Sequence, residues 1–188
     1  TETISTGSGT VSAVPTNSAA GSDISQCNNS TFTMAANSPS TGTGAWSVSS
    51  GSATITSSSS NTSSVTGVSA GATATLTWTI SNGHCTSSTD DVVITNNSLP
   101  TVSVNSSTVC TGSNASVTAS ATGGSGGSYS YSWTTLPGGV ADPGNTLSFS
   151  SGIAGTYGVT VTDGNSWPCS IMVVPLKDQY RISNNHTT

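Results

Sequence analysis

Few side chains in this sequence could do acid–base or nucleophilic chemistry: there are seven acids, two histidines and 40 serines among 188 residues. A Ser-His-Asp site would need a serine and a carboxylate beside His84, and Asp90 and Asp91 are the acids nearest to it along the chain. With so many serines, finding one near a histidine is uninformative. Asp90 and Asp91 also fail as a glycosidase pair, because adjacent strand residues point to opposite faces of a sheet. We therefore expect no catalytic residues and no enzymatic activity.

Metal binding has equally little support in the sequence. His84 and His186 are the only histidines, and no Cys-x-x-Cys motif occurs. Calcium takes several oxygen ligands from carboxylates and backbone carbonyls of loops. Four aspartates are candidates by position, but no D-x-D-x-D-G loop holds them: Asp90, Asp91, Asp142 and Asp163. We predict no metal site and no cofactor.

Two further kinds of surface residue are candidates for binding or modification. Trp167 lies in a Gly-Asn-Ser-Trp-Pro turn, so we expect it to be exposed and to serve a ligand or an interface. One exposed tryptophan is a narrow basis for a carbohydrate-binding module, which stays as the alternative function with surface glycans as its partner. Glycosylation would depend on the source organism, and seven asparagines lie in Asn-x-Ser/Thr sequons: Asn28, Asn29, Asn61, Asn96, Asn105, Asn114 and Asn185.

Charge is scarce, and it is unevenly placed along the chain. Ser, Thr, Gly and Asn form about 57% of the residues, and the only bases are Lys177 and Arg181, for a net charge of −5. A basic patch for phosphates cannot be built, so nucleic acid is excluded as a partner. No run of 18 apolar residues and no polybasic segment occurs, so we expect no membrane insertion. Helix-forming residues are too few for an all-α fold.

The four cysteines show a duplicated spacing. Cys27 and Cys85 are separated by 58 positions, and Cys110 and Cys169 by 59. Together with the tryptophan positions, this spacing indicates two copies of a module of about 85 residues. Equivalence of the copies favours the pairs Cys27–Cys85 and Cys110–Cys169, while four free thiols or pairing across modules remain open. Disulfides imply an oxidising compartment outside the cytoplasm, and the first residue, Thr1, suits a processed or excised chain.

Short alternating runs divided by Gly, Asn, Asp and Pro predict an all-β fold in each module. The first module is assigned to residues 17–98 and the second to 99–176, with an N-terminal extension, 1–16, and a polar C-terminal tail, 177–188. Strands are predicted in the first module at 30–35, 44–49, 53–57, 62–67, 73–81 and 90–96. Strands are predicted in the second at 101–105, 115–121, 128–135, 146–150, 156–162 and 170–175.

The predicted cores are centred on tryptophans. In the first module, Trp46 and Val48 should face three inward residues of the long fifth strand: Leu76, Trp78 and Ile80. In the second module, the aromatic face of residues 129–133 should lie across the core from the face formed by Tyr157, Val159 and Val161. Each core layer would then contain aromatic and aliphatic side chains from facing strands.

These residues resemble known extracellular repeats. Residues 156–164, Thr-Tyr-Gly-Val-Thr-Val-Thr-Asp-Gly, look like part of an immunoglobulin-like or PKD-like domain. Residues 27–39, 44–48 and 74–85 more narrowly resemble repeats in the large secreted surface proteins of gliding Bacteroidota. The resemblance covers roughly residues 20–175 and brings no catalytic residues. Here the cysteines lie outside the strands that usually carry the central disulfide, which would put a bridge nearer a module end.

The sequence therefore predicts two tandem immunoglobulin-like β-sandwiches. The resemblance implies export to the cell surface and a non-enzymatic structural or adhesive role, as the subunit of a surface fibre or a repeat segment of an adhesin stalk. The expected partners are other copies of the chain or neighbouring repeats of a longer one. We further hypothesise that residues 1–15 form a strand that is exchanged with a neighbouring subunit or module.

Overall fold

The computed structural model of the protein describes residues 12–83, 85–105, 109, 112–164 and 170–177. Every regular element in these residues is a β-strand, which confirms the predicted all-β fold. The first seven strands are β1 (Ile24–Cys27), β2 (Thr31–Thr33), β3 (Thr43–Ser50), β4 (Thr54–Ile55), β5 (Ser64–Thr66), β6 (Ala72–Ser81) and β7 (Ser88–Asn97). The other six are β8 (Pro100–Val104), β9 (Ala115–Gly123), β10 (Tyr129–Thr135), β11 (Ser148–Ser151), β12 (Thr156–Asp163) and β13 (Ser170–Lys177). None of the described residues belongs to a helix long and apolar enough to cross a membrane.

The chain divides into two compact units, which are described separately below. Unit 1 runs up to Ser25 and continues from Asn29 to Asn96, whereas unit 2 takes Gln26–Asn28 and the chain from Asn97 onward. The predicted limits 17–98 and 99–176, as limits of independently folding domains, stay a prediction. Most of the predicted extension 1–16 and nearly all of the tail 177–188 lie outside the described residues.

Unit 1 is a sandwich of a four-stranded sheet, β1-β7-β6-β3, and a three-stranded sheet, β2-β5-β4. Strand β6 alternates strictly, because its even-numbered residues from Ala74 to Ile80 are buried and its threonines point outward. The inner faces of both sheets contribute to one core that contains Phe32, Val65 and Trp46. Trp46 and the inward residues of β6 share this core as predicted, but β3 and β6 are hydrogen-bonded neighbours in one sheet and do not face each other across the core.

Val48 was predicted to belong to this core, and that prediction is wrong. Val48 pairs with Leu76 but remains 38% exposed. Its strand has a register irregularity between Val48 and Ser50, at the end of the sheet. A bulge turns the local backbone away from regular pairing, so the alternation that holds for Trp46 no longer places Val48 inside.

The first strand of unit 1 runs parallel to the last. Ser18 N lies 2.9 Å from Ser88 Oγ, Val93 N donates to Asp23 Oδ1 at 2.9 Å, and Asn28 N donates to the Asn97 carbonyl at 2.7 Å. Residue numbers of the hydrogen-bonded partners therefore rise together along residues 18–28 and 88–97, as they do in a parallel pair. Strand β1 was not predicted as a strand, since its Ile-Ser-Gln-Cys sequence has little alternation.

Unit 2 is a sandwich of two three-stranded sheets, β11-β9-β8 and β10-β12-β13. Its core includes Trp133, Tyr157, Val159 and Val161, with Phe149 packed against them. The strands β10 and β12 were predicted to face each other across this core, which is wrong. They are hydrogen-bonded neighbours in one sheet, and their inward side chains share one face. Alternation identifies a shared phase but does not say whether two strands lie beside or opposite each other.

Candidate functional site

The acids that were considered for catalysis or calcium binding are far from forming one site. Asp90 Oδ2 accepts a hydrogen bond from Ala20 N at 2.7 Å, while Asp91 Oδ1 accepts one from Thr77 Oγ1 at 2.6 Å. Their different partners agree with side chains on opposite faces of β7. Asp142 Oδ1 accepts from Gly144 N within its own turn, at 2.9 Å. Among the described residues no three His, Cys, Asp or Glu side chains form a group suited to a metal ion.

Asp163 is the one buried acid in this set, and its role is structural. It is 1% exposed at the end of β12, and its Oδ2 accepts hydrogen bonds from Ser125 N at 2.7 Å and Ser125 Oγ at 2.8 Å. A Cβ on Gly124 would lie 2.4 Å from the same oxygen, so glycine is required there. The carboxylate therefore fixes the turn between β9 and β10. His84, His186 and Trp167 lie outside the described residues.

The predicted Cys27–Cys85 disulfide is wrong. Cys85 is a free, half-buried thiol, whereas Cys27 is disulfide-bonded to a partner outside the described residues. Cys27 ends β1 close to Asn97, while Cys85 precedes the first residue of β7, Ser88. The ten residues of β7 span about 30 Å, far more than the ~7 Å that a disulfide allows between Cα atoms. Cys110 and Cys169 lie outside the described residues.

The sequons differ sharply in their surroundings. Asn96 is 2% exposed, and its Nδ2 donates to the carbonyls of Asn29 and Val68 at 2.8 and 2.7 Å. A sugar on this nitrogen would displace both buried hydrogen bonds, so Asn96 cannot be modified in the folded unit. Asn29 and Asn61 are half-buried, Asn185 is not described, and the remaining three are exposed: Asn28, Asn105 and Asn114.

The three described tryptophans are buried, as predicted, so none of them offers an exposed stacking face. Trp46 Nε1 donates to the Ser60 carbonyl at 3.1 Å, and Trp133 Nε1 donates to the Thr146 carbonyl at 2.9 Å. Trp46 therefore ties β3 to the loop between β4 and β5, and Trp133 ties β10 to the loop between β10 and β11. Trp78 Nε1 is buried without a hydrogen-bond partner.

The candidate site is an open groove of about 390 Å³ in unit 2. One wall is formed by β11 and the residues after it, up to Ile153, and the other by residues 139–143. No residue of β9 lines the groove, so it follows the edge of β11 that β9 leaves uncovered. Val140, Phe149 and Ile153 give the groove an apolar lining. A groove of this size with backbone groups along one wall suits an extended peptide.

The alternation of hydrogen-bonded and non-hydrogen-bonded pairs between β9 and β11 shows which backbone groups of β11 face the groove. Ala119 N donates to the Leu147 carbonyl at 2.8 Å, and the register pairs Phe149 with Val117 and Ser151 with Ala115. In an antiparallel pair the alternate residues bond outward. The N–H and C=O groups of Ser148 and Ser150 therefore point away from β9, toward the open edge.

The other edge strand beside this loop is protected. The backbone N–H of Tyr131 in β10 donates to Asn145 Oδ1 at 2.7 Å, which occupies the outer edge of that strand. Residues 139–143 are held by local turns, such as Val140 N to the Pro137 carbonyl at 3.1 Å, and form no strand. The connection between β10 and β11 thus covers one edge and leaves a groove at the other.

Solved structures with similar folds include the N-terminal eight Ig domains of the Down syndrome cell adhesion molecule. That structure matches at a TM-score of 0.54 and 14% identity, and the match covers 88% of this chain and 27% of that one. The chain folds as two tandem immunoglobulin-like domains. The insect immune protein hemolin matches at a TM-score of 0.46 and 16% identity. The match covers 93% of this chain and 48% of the hemolin chain. No protein-family model and no curated protein matches the chain.

The immunoglobulin-like strand order explains why the groove exists. In such domains one sheet has the spatial order A-B-E-D, so strand D lies beside strand E. Unit 1 fills this position with β4 beside β5, whereas unit 2 has no strand beside β11 among its described residues. The groove is the vacant D position. Sequence reasoning missed it, although the long Gly- and Pro-rich stretch at 136–147, with almost no predicted strand, was its signal.

Proposed function

We propose that the chain is a non-enzymatic, extracellular structural or adhesive segment, either the subunit of a surface fibre or a repeat of an adhesin stalk. It would associate with copies of itself or with neighbouring repeats of a longer chain. The tandem immunoglobulin-like fold suits this role, and so does the resemblance of its sequence to surface-protein repeats of gliding Bacteroidota.

The observation that carries this proposal is the outer face of the four-stranded sheet in unit 1. The outward side chains of its central strand β6 are Thr73, Thr75, Thr77 and Thr79. Beside Thr77 lie Ser47 on one side and Asp91 on the other, and Asp91 is hydrogen-bonded by Thr77 Oγ1. Covering hydroxyls costs far less free energy than covering unpaired charges. The hydroxyl-bearing part of this face can therefore pack closely against another surface, whereas the Asp91 carboxylate would remain at the solvated edge of the contact.

Two further observations support the proposal. The described acids each accept structural hydrogen bonds at separate places, which supports a role without catalysis. The disulfide of Cys27 supports an oxidising, extracellular compartment.

The test is the assembly state of the purified chain, by sedimentation velocity and negative-stain microscopy. We expect concentration-dependent association into regular particles or filaments. Thr75→Lys combined with Thr79→Lys should weaken lateral association, because two charges would have to be desolvated on contact. The matched control, Thr75→Ser with Thr79→Ser, keeps the hydroxyls and should associate normally. Monomers that bind glycans on an array would replace this proposal with the carbohydrate-binding function.

A further inference from the structure

We propose that the groove beside β11 binds residues 1–6 of a second copy of the chain as an added strand D. This inference rests on the proposed self-association and names the surface and the segment that would carry it. The added strand would hydrogen-bond to β11 in the position that β4 occupies beside β5 in unit 1.

The groove has the chemistry of an acceptor for a strand. Ser150 presents a backbone donor and acceptor in one wall, Ser148 continues the same open edge beyond the lining residues, and β11 with its four residues offers about 13 Å of edge. Val140, Phe149 and Ile153 provide apolar contacts, and Ile153 is 38% exposed. An unpaired strand edge next to apolar surface is a template for another strand.

Residues 1–6 have the chemistry of the occupant. Their sequence, Thr-Glu-Thr-Ile-Ser-Thr, is rich in β-branched residues and contains neither glycine nor proline. In an extended conformation Ile4 lies on one face, flanked by Glu2 and Thr6, so a single apolar side chain can enter the groove. Glu2 shares the face of Ile4, and Asp142 lines the groove, so the Glu2 carboxylate would have to stay in solvent at the open end of the groove.

The anchoring of the next residues favours a second copy. The Asn82 side-chain amide donates to the Ala13 carbonyl, and Cys85 Sγ lies 3.7 Å from the carbonyl oxygens of Ser12 and Ala13. This anchor is at the Ser88 end of β7, whereas the chain leaves unit 1 at the other end, about 30 Å away. Residues 7–11 can bridge at most about 18 Å. Even fully extended, residues 7–11 are too short to cover that distance along unit 1.

The first experiment measures binding of a synthetic peptide of residues 1–6 to the chain lacking residues 1–11, by calorimetry. Ser150→Pro removes an outward N–H but no bond to β9, so it should weaken binding at least about tenfold. Ser150→Thr keeps the N–H and should bind like the parent. A peptide carrying Ile4→Asp should also bind at least about tenfold more weakly. Equal binding to the Ser150→Pro chain, or no binding to the parent, would overturn the proposal.

The second experiment measures association of the full chain by sedimentation velocity, for the parent, Ser150→Pro, Ser150→Thr and Ile4→Asp. Loss of head-to-tail association in Ser150→Pro and in Ile4→Asp, with retention in Ser150→Thr, is the expected result. Ile4→Asp changes none of the residues that form the two described cores, so it reports on association even if Ser150→Pro disturbs unit 2. Undiminished association in these two variants would overturn the groove proposal and leave the proposed function standing. A monomeric parent whose peptide still binds would overturn the second-copy assignment and count against fibre formation.

Discussion

Trp46 of β3 stands opposite Trp78 of β6 in unit 1, whereas Trp133 of β10 stands opposite Val159 of β12 in unit 2. The two indoles in unit 1 have ring centroids 5.0 Å apart. The second indole extends over Gly44, where a Cβ would lie only 2.0 Å from Trp78 Cζ2. Unit 1 therefore combines a very large residue on one strand with a missing side chain on the next.

Unit 2 places its large side chains differently between the two paired strands. The position corresponding to Gly44, two residues before the tryptophan, holds Tyr131, and Val159 replaces the second indole. In unit 2 both large side chains of this layer are therefore on β10, and its neighbour β12 carries a smaller one. The comparison teaches that a small residue on one strand can be offset by a large one on its neighbour, so either strand can supply the large side chain of a core layer.

The units also differ in their sheet edges. The first strand of unit 1 joins β7 in parallel, whereas the first strand of unit 2, β8, joins β9 antiparallel. Unit 1 completes its smaller sheet with β4, and unit 2 leaves β11 open. Among the described residues, unit 1 therefore has both the larger set of buried core residues and an additional edge strand, and the substitutions below test whether this difference is energetic as well as geometric.

The largest expected effect comes from removing a phenylalanine. Phe32→Ala should destabilise unit 1 by about 3–5 kcal/mol, because Phe32 is fully buried opposite Val65. Phe149→Ala should cost unit 2 only about 2 kcal/mol, since its ring is half-buried beside Trp133 and Tyr157. Hydrogen exchange in denaturant, followed separately for β6 and β12, measures the two losses. Equal losses would contradict the proposed difference between the cores.

The cysteines at the two ends of β7 should differ almost as much. Cys27→Ser removes a disulfide and should lower the free energy of unfolding by about 2–5 kcal/mol. Cys85→Ser changes a free thiol and should cost less than about 0.5 kcal/mol. Urea unfolding without reductant provides the measurement. A large loss for Cys85→Ser would show that Cys85 takes part in a disulfide after all.

Gly44→Ala tests the exchange of volume between strands. The new methyl group collides with the Trp78 indole, so we expect a loss of about 1–3 kcal/mol in unit 1. Gly138→Ala is the matched control, since nothing lies within 4 Å of its added Cβ and its φ is ordinary. Combining Gly44→Tyr with Trp78→Val copies the arrangement of unit 2. The loss of stability in the double variant should be smaller than the sum of the two single losses by about 0.5–3 kcal/mol. Strictly additive losses would show that the two positions do not compensate each other.

The smallest expected effect concerns a hydroxyl in the core of unit 2. Tyr157 Oη lies 2.5 Å from the Ile153 carbonyl oxygen and 2.7 Å from Ser151 Oγ, where it fixes the loop before β12. Tyr157→Phe should cost about 1 kcal/mol and speed hydrogen exchange in that loop. Tyr129→Phe loses a hydroxyl bonded to the Gly123 carbonyl at an exposed site and should cost less. Similar losses of stability in both variants would contradict the assignment of the Tyr157 hydroxyl as the group that fixes this loop.

Alternating runs divided by turn residues predict twelve strands, and each of them overlaps an observed strand. Alternation also identified Trp46, Trp78 and Trp133 as buried, because a period of two fixes which side chains share a face. It failed at Val48, where a bulge interrupts the period, and at β1, where a strand forms mainly by pairing with β7. Local sequence reports phase within a strand but not the partner that stabilises it.

The sequence by itself determined the composition of the surface, the all-β fold and the duplication of the module. Only the tertiary structure ruled out the Cys27–Cys85 disulfide. The equal spacing of the cysteine pairs suggested it, but in the fold Cys27 and Cys85 lie at opposite ends of β7. The same holds for the groove beside β11, because the Gly- and Pro-rich stretch 136–147 indicates a missing strand but not which strand edge is left open. Spacing and periodicity describe neighbours along the chain, whereas distances across a sandwich depend on which strands pair and in which direction.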